Sequence, residues 1–100
     1  MSAAVLGKRV LVVEDEALVA MMVEDMLADF GAAEIRIAGN VPEALELTQT
    51  WAFDAAIVDV DLNGARCTPI AEALRARSVP FAYATGYGEI GADADAAAPI

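Results

Sequence analysis

The segment that decides the fold is DAAIVDVDLNG, residues 54–64. Residues 55–58 form a short apolar run without alternation, which is typical of a strand buried on both faces of a sheet. The run ends in Asp59 and Asp61, and Asn63-Gly64 follows as a turn signal. Because open α/β sheets bind their ligands outside the carboxyl ends of the strands, Asp59 is the candidate reactive residue.

Strand and helix patterns alternate on both sides of this segment. Strands are predicted at residues 8–13, 34–38 and 80–84, and the alternating pattern of residues 34–38 favours a position nearer an edge of the sheet. Helices are predicted at residues 16–30, 40–49 and 69–77, with Asn40 and Glu43 as a capping pair and Gly31 after the first helix. This alternation predicts an α/β fold with a doubly wound parallel sheet and right-handed crossovers.

The first predicted helix carries a wide apolar stripe. Its members recur every four residues, with further apolar residues beside them: Leu18, Met22, Met26 and Phe30, then Val19, Val23 and Leu27. Glu24, Asp25 and Asp29 take the other face. The pattern predicts an amphipathic helix that buries this stripe.

The last residues carry the weakest pattern. Residues 89–100 are rich in Ala, Asp and Gly, which predicts at most a frayed helix, with residues 98–100 as the entry to a further strand that the sequence does not complete. A length of 100 residues suits one domain. We therefore expect residues 1–100 to form a single domain with a further C-terminal strand that the sequence does not complete.

The composition excludes several functions. Sixteen acids against six bases give a net charge of −10, a poor match for nucleic-acid phosphates or anionic lipid, so neither direct nucleic-acid binding nor membrane binding is expected. The chain has no histidine and one cysteine, which excludes a His-ligated zinc site, a Ser-His-Asp triad and an internal disulfide framework. Since no apolar run approaches the length of a membrane span or a secretory signal, we expect a cytoplasmic protein.

Polar side chains follow three of the predicted strands. Glu14 and Asp15 follow the first strand, Asp59 ends the third and Thr85 follows the fourth. In a doubly wound sheet the first and third strands are neighbours, so the three carboxylates should lie close together and require a hard cation such as Mg²⁺. An Asp beside Mg²⁺ is a good phosphoryl acceptor, and the Thr85 hydroxyl can bond a phosphoryl oxygen and draw its loop inward.

These residues together resemble the receiver domain of bacterial two-component response regulators, similar to the chemotaxis regulator with its flavodoxin-like fold. Asp59 matches the phosphoacceptor, Thr85 the switch hydroxyl, and residues 10–15 the first strand with its acidic pair. The sequence PFAYATGY, residues 80–87, further resembles an alphaproteobacterial subgroup of receivers, many of them stand-alone regulators linked to stress signalling.

The resemblance implies a set of ligands and partners. In that family the backbone carbonyl two residues after the acceptor binds the metal, which here is Asp61, so the implied Mg²⁺ ligands are Glu14, Asp15, Asp59 and the Asp61 carbonyl. The phosphoryl donor is implied to be a sensor histidine kinase or a phosphotransfer protein that docks near residues 17–21. The output is implied to be binding to a downstream protein partner, so that the chain is a signalling switch more than an enzyme.

The sequence departs from the family in several respects. The segment after Asp59 lacks the Pro-Gly turn that is frequent in receivers, and the C-terminus is incomplete, with the family's fifth strand, its switch aromatic and its last helix missing or truncated. Glu14 stands where Asp is commoner, and no Lys follows Thr85, because the only lysine is Lys8 at the other end of the first strand. A truncated chain and a degenerate receiver both explain the missing lysine.

Three other interpretations compete with the receiver domain. Asp59-x-Asp61 resembles the nucleophile motif of dehalogenase-type Asp/Mg²⁺ phosphatases, and a pseudo-receiver that docks proteins without phosphorylation also fits the chain. The same residues match the start of an EF-hand loop, but the twelfth position is Ile70 where that loop needs Glu.

Overall fold

A central sheet organises the residues that the computed structural model describes, namely 5–59, 61–62, 65–66, 68–84 and 90–92, with the backbone alone described at 61–62, 65–66, 84 and 90–92. The strands are β1 (Arg9–Val13), β2 (Glu34–Ala38), β3 (Ala55–Asp59), β4 (Asp61–Leu62), β5 (Ala65–Arg66), β6 (Phe81–Ala84) and β7 (Ile90–Ala92). The helices are α1 (Ala17–Asp29), α2 (Val41–Thr50) and α3 (Thr68–Ala76).

The sheet has the order β2-β1-β3-β6-β7. Strands β2, β1, β3 and β6 are parallel, whereas β7 runs antiparallel to β6. The predicted doubly wound parallel sheet is therefore confirmed, and so is the position of residues 34–38 at one edge of the described sheet. The register pairs Val13 with Val58 and Asp59 with Ala84, so the ends of β1, β3 and β6 are brought level with one another.

Two apolar cores lie on opposite faces of the sheet, because side chains alternate along each strand. Val10 and Val12 of β1 belong to the core that includes Val23 and Leu27 of α1. Leu11 and Val13 belong to the larger core. That core also contains residues of α2, α3 and the aromatic segment before β3: Ala44, Ile70, Ala71, Leu74, Trp51 and Phe53.

The predicted apolar stripe of α1 is confirmed for Val23 and Leu27 and wrong for Leu18 and Met22. Ala20, Val23 and Leu27 are its buried residues, whereas Leu18 and Met22 are 75% and 65% exposed. Because each helical residue turns the chain by about 100°, Leu18 and Met22 lie on the side of α1 opposite Ala20. Both sides of this helix are apolar, and packing against β1 and β3 selects the side with the smaller residues.

Two helix ends form as predicted. Gly31, at φ 91°, ends α1, and the Ala32 and Gly31 N–H groups donate to the carbonyls of Leu27 and Ala28, which is a Schellman motif. At the start of α2, the Glu43 N–H donates to Asn40 Oδ1 at 2.9 Å, and the Glu43 carboxylate accepts from the Gly39 N–H at 2.8 Å.

Two elements were not predicted. Residues 90–92 form strand β7 where at most a frayed helix was expected, because pairing with the backbone of β6 outweighs a weak local pattern. Strands β4 and β5 form a short antiparallel hairpin directly after β3, with Asp61 opposite Arg66 and Leu62 opposite Ala65. The predicted turn at residues 63–64 and the predicted strand entry at residues 98–100 lie outside the described residues.

Candidate functional site

The carboxyl-terminal edge of the sheet collects the acidic residues that follow β1 and β3. Asp59 is the last residue of β3, and Glu14 and Asp15 come directly after β1. Because Val13 pairs with Val58, the next residues along the two strands, Glu14 and Asp59, leave the sheet side by side. The pairing of β1 with β3 therefore brings Glu14 and Asp59, each of which carries a carboxylate, next to each other at this edge of the sheet.

The three carboxylates form one cluster. One oxygen from each of Glu14, Asp15 and Asp59 lies within 4.8 Å of the others. Glu14 and Asp59 are 6% and 8% exposed, and Asp15 is more exposed. The sequence prediction that these three side chains meet is thus confirmed in its geometry, and we refer to them as the acidic cluster.

Burial raises the pKa of Glu14 to about 7, from its ordinary value of 4.5. The Glu16 N–H donates to Glu14 Oε1 at 3.1 Å and opposes this rise in pKa. Hydrogen bonding and charge repulsion with Asp59, and hydrogen bonding with Asp15, add to it. The acidic cluster therefore holds a proton near neutral pH unless a cation replaces it.

The acidic cluster fits a hard divalent cation. Its donor atoms are all carboxylate oxygens, which are the ligands that Mg²⁺ and similar ions select. Burial first, and then the neighbouring Asp59 and Asp15, raise the pKa of Glu14 and so disfavour its charged form. A bound cation would favour the charged carboxylates and offset their mutual repulsion.

The structure does not describe the side chains of two predicted site residues, Thr85 and Asp61. Thr85 lies outside the described residues, although its neighbour Ala84 pairs with Asp59. The backbone of Asp61 begins β4, two residues after Asp59. The roles assigned to Thr85 and to the Asp61 carbonyl stay predictions.

Sequence reasoning missed one contributor to the site. The Glu16 N–H, at the N-cap of α1, holds the carboxylate of Glu14. The sequence analysis places Glu16 only at the start of the first predicted helix, and a hydrogen bond from its backbone carries no sequence signal.

Comparison with known proteins agrees with the fold and the cluster. The response regulator receiver domain family matches residues 10–98. The BeF3-activated conformation of SdrG from Pseudomonas melonis Fr1 is 46% identical, with a TM-score of 0.68, over 78% of this chain and 67% of that chain. The response regulator TrrA from Thermotoga maritima, solved in complex with Mg²⁺-BeF, is 29% identical, with a TM-score of 0.72, over 80% of this chain and 70% of that chain.

A further similar structure is the response regulator PhyR from Brucella abortus, which is 28% identical with a TM-score of 0.71, over 78% of this chain and 33% of that chain. The chain spans between 33% and 71% of the length of the solved chains reported for it. No significant match was found among curated protein sequences.

The family model covers most of the chain, and the sheet order and the acidic cluster agree with the expected flavodoxin-like fold. The solved relatives include response regulators with activating beryllium fluoride bound. On this evidence the chain belongs to the response regulator receiver domain family.

Proposed function

We propose that this chain is a phosphoacceptor receiver in which Asp59 takes a phosphoryl group from a sensor histidine kinase or a phosphotransfer protein. The observation that carries the proposal is the meeting of Glu14, Asp15 and Asp59 oxygens within 4.8 Å at the carboxyl-terminal edge of the sheet. The ligands of Mg²⁺ would be these three carboxylates and the backbone carbonyl of Asp61. As a member of a signalling family, the chain is a phosphoacceptor and not an enzyme.

The reaction is a transfer between two nucleophiles. A carboxylate oxygen of Asp59 attacks the phosphorus of a phosphohistidine, and the P–N bond breaks with its electron pair going to the imidazole nitrogen. An imidazole protonated at its other nitrogen leaves as the neutral ring, so no further proton is needed. Bound Mg²⁺ offsets the charge of the carboxylates and of the phosphoryl oxygens. The role of Asp59 as the attacking group is supported by its place at the end of β3, in register with β6 and with its carboxylate in the acidic cluster.

Thr85 is the proposed switch residue. The pairing of Asp59 with Ala84 supports this role, because Ala84 directly precedes Thr85 in the sequence. A hydrogen bond from its hydroxyl to a phosphoryl oxygen would shift the loop that follows β6. The shifted loop would change the affinity for a downstream protein.

The exposed side of α1 is the proposed docking surface for the phosphoryl donor. Leu18, Met21 and Met22 are 75%, 56% and 65% exposed, and α1 begins next to Glu16, at the acidic cluster. Single exposed apolar residues are ordinary, but three on one side of a short helix indicate a protein contact. Leu18→Ser should slow transfer from a kinase while leaving labelling by a small phosphodonor unchanged.

The proposed location is the cytoplasm, where response regulators meet their kinases. None of the described helices is long and apolar enough to cross a membrane. The net charge of −10 disfavours direct contact with nucleic acid, so the proposed output is a protein–protein interaction.

The test is labelling by acetyl phosphate with Mg²⁺, read by intact mass. The wild-type chain should gain one phosphoryl group that persists for minutes, whereas Asp59→Asn should gain none. Asp29→Asn is the matched control, because it removes one exposed carboxylate at the far end of α1. Rapid turnover of a phosphoester without a stable adduct would favour the dehalogenase-type phosphatase. No adduct on the wild-type chain would favour a pseudo-receiver.

A further inference from the structure

The strand β2 forms one outer edge of the described sheet, where it pairs with β1 alone. The Ala38 carbonyl accepts from the Glu14 N–H at 3.0 Å, so the backbone groups of Ala38 point toward β1. Because successive strand residues direct their N–H and C=O groups to alternate sides, those of Ile35 and Ile37 point away from β1. Within the described part of the chain, this side of β2 therefore presents backbone groups that pair with no other strand.

Two charged side chains flank these outward backbone groups. The side chains of Glu34 and Arg36 are 42% and 48% exposed, with Arg36 Nε 3.0 Å from Glu34 Oε2, and Ile37 beside them is 38% exposed. We refer to the outward backbone of Ile35 and Ile37, together with the side chains of Glu34 and Arg36, as the β2 edge. An open edge strand is a template for pairing with another strand, and its charges decide which strand is compatible.

The charges of the β2 edge are complementary to themselves. If two copies pair antiparallel with Ile35 opposite Ile35, Glu34 of each copy lies opposite Arg36 of the other. The outward N–H and C=O groups of Ile35 then exchange two hydrogen bonds between the copies. Sliding the strands by two residues would set Arg36 opposite Arg36, and like charges that face each other directly are destabilising. The charges thus favour the register centred on Ile35.

The local charge also makes this edge suited to meeting a second copy. With a net charge of −10, two copies of the chain repel each other over most of their surfaces. Glu34 is the one acid of β2, and it lies 3.9 Å from Arg9 Nε and 3.0 Å from Arg36 Nε. One acid shared by two arginines leaves the β2 edge without the excess of negative charge that the whole chain carries.

We propose that the β2 edge binds the β2 edge of a second copy of this chain, in antiparallel register about Ile35. The same surface serves both copies, so the pairing closes as a two-fold dimer with one continuous sheet and leaves no β2 edge free for a third copy. The proposal does not depend on the phosphoacceptor function. The competing explanation is that Glu34 and Arg36 form an ion pair within one chain and protect the edge from pairing.

The experiment is sedimentation velocity of the full chain from about 10 μM to about 1 mM, a range that covers a weak dimer. The average mass of the wild-type chain should rise from that of one copy toward that of two. Glu34→Arg and Arg36→Glu each set like charges opposite each other at two symmetric positions, so each should weaken dimerisation about 10- to 30-fold. An equimolar mixture of the two variants should dimerise again, because the reversed charges then face opposite charges.

The matched control is Asp29→Arg, which makes the same change of charge as Glu34→Arg at an exposed position of α1. It lowers the net negative charge and should dimerise at least as tightly as the wild type. If general repulsion alone governed association, Glu34→Arg would behave like Asp29→Arg, and that result overturns the proposal. A wild-type chain that stays monomeric over the whole range overturns it as well.

A measurement on the wild-type chain decides the question if either variant loses its circular dichroism spectrum. The outward Ile35 N–H has no strand partner in one copy, but it is hydrogen bonded in the proposed dimer. Its hydrogen exchange, followed by NMR, should be about tenfold slower or more at the highest concentration than in dilute solution. Exchange of Ile35 that does not change with concentration contradicts the proposal, even if the chain dimerises, because the contact then lies elsewhere.

Discussion

The two edges of the sheet arrange their charged side chains in opposite ways. At the amino-terminal edge, charges are matched: Asp54 Oδ2 accepts from the Arg9 N–H at 2.9 Å, and the Arg36 guanidinium lies 3.0 Å from Glu34 while covering Trp51. At the carboxyl-terminal edge, like charges are gathered instead. Glu14 and Asp59 are held together there, mostly buried, beside Asp15.

This difference indicates that the amino-terminal edge contributes to stability, whereas the carboxyl-terminal edge carries the functional site. At the amino-terminal edge, opposite charges are paired and aromatic rings are stacked, and both arrangements favour the fold. In the acidic cluster, burial and the neighbouring carboxylates disfavour the charged form of Glu14, and a proton or a cation would relieve this cost. Such local conflicts are expected at functional sites.

The largest expected effect follows from removing the aromatic pair at the amino-terminal edge. Trp51 is buried, stacks on Phe53 at 5.4 Å and lies beneath Arg36 at 4.7 Å. Trp51→Ala should lower the free energy of unfolding by about 3–5 kcal/mol, measured by urea denaturation followed by circular dichroism. Trp51→Phe, which keeps a stacked ring, should lose less than half as much.

The variant Trp51→Phe also tests whether the acidic cluster depends on the amino-terminal edge. Under conditions where Trp51→Phe is folded, its affinity for Mg²⁺ should equal that of the wild type. A large loss of Mg²⁺ affinity in Trp51→Phe would show that the two edges are coupled and would contradict their separation.

The second effect is a pH dependence of stability at the carboxyl-terminal edge. The pKa of Glu14 is raised to about 7 in the folded chain from 4.5, so the folded state binds more protons than the unfolded state between these values. The contribution of Glu14 is fully present below pH 4.5, and it is lost as pH rises through about 7. The expected loss of unfolding free energy over this window is on the order of 1–3 kcal/mol.

The control for this prediction is Glu14→Gln, which cannot titrate. The difference in unfolding free energy between wild type and Glu14→Gln should change over the same pH window, and saturating Mg²⁺ should suppress that change. A constant difference from pH 4.5 to 7.5, measured by urea denaturation, is the contrary result.

The smallest effects concern two helix ends near the amino-terminal edge. Both α1 and α3 end in a Schellman motif, with Gly31 at φ 91° in the first and Ser78 at φ 58° in the second. Ser78→Gly should raise the unfolding free energy by about 0.5–1 kcal/mol, because glycine adopts this conformation without strain.

Gly31→Ala is the opposite change. A Cβ at this position would lie 2.5 Å from the Leu6 Cδ1, so the variant should lose about 1–2 kcal/mol. Thermal unfolding of both variants checks the signs. If both substitutions change the stability in the same direction and by the same amount, backbone strain does not account for the difference between the two helix ends.

Much of the site was predictable because it depends on backbone topology. The apolar runs before Glu14 and Asp59 predicted two buried strands, and parallel strands bring their carboxyl ends to one edge. The capping residues Gly31 and Asn40 were equally readable, because helix ends have local sequence signals.

What the sequence could not predict depends on packing between elements. Leu18 and Met22 recur as regularly as Ala20 and Val23, so periodicity does not reveal which side of α1 meets the sheet. Strand β7 depends on pairing with β6 and has little pattern of its own. Trp51 stacks with Phe53 and lies beneath Arg36, which comes from a different strand. No local sequence motif predicts the contact between Trp51 and Arg36.

The most direct test of the central claim is the stabilisation of the chain by Mg²⁺. If Glu14, Asp15 and Asp59 form one divalent-cation site, Mg²⁺ should raise the melting temperature of the wild-type chain, since it binds the folded state alone. The increase should largely vanish in Asp15→Asn and Asp59→Asn and persist in Asp29→Asn. Equal small increases in all four proteins would contradict the account, because they would show that Mg²⁺ screens surface charge without binding at the acidic cluster.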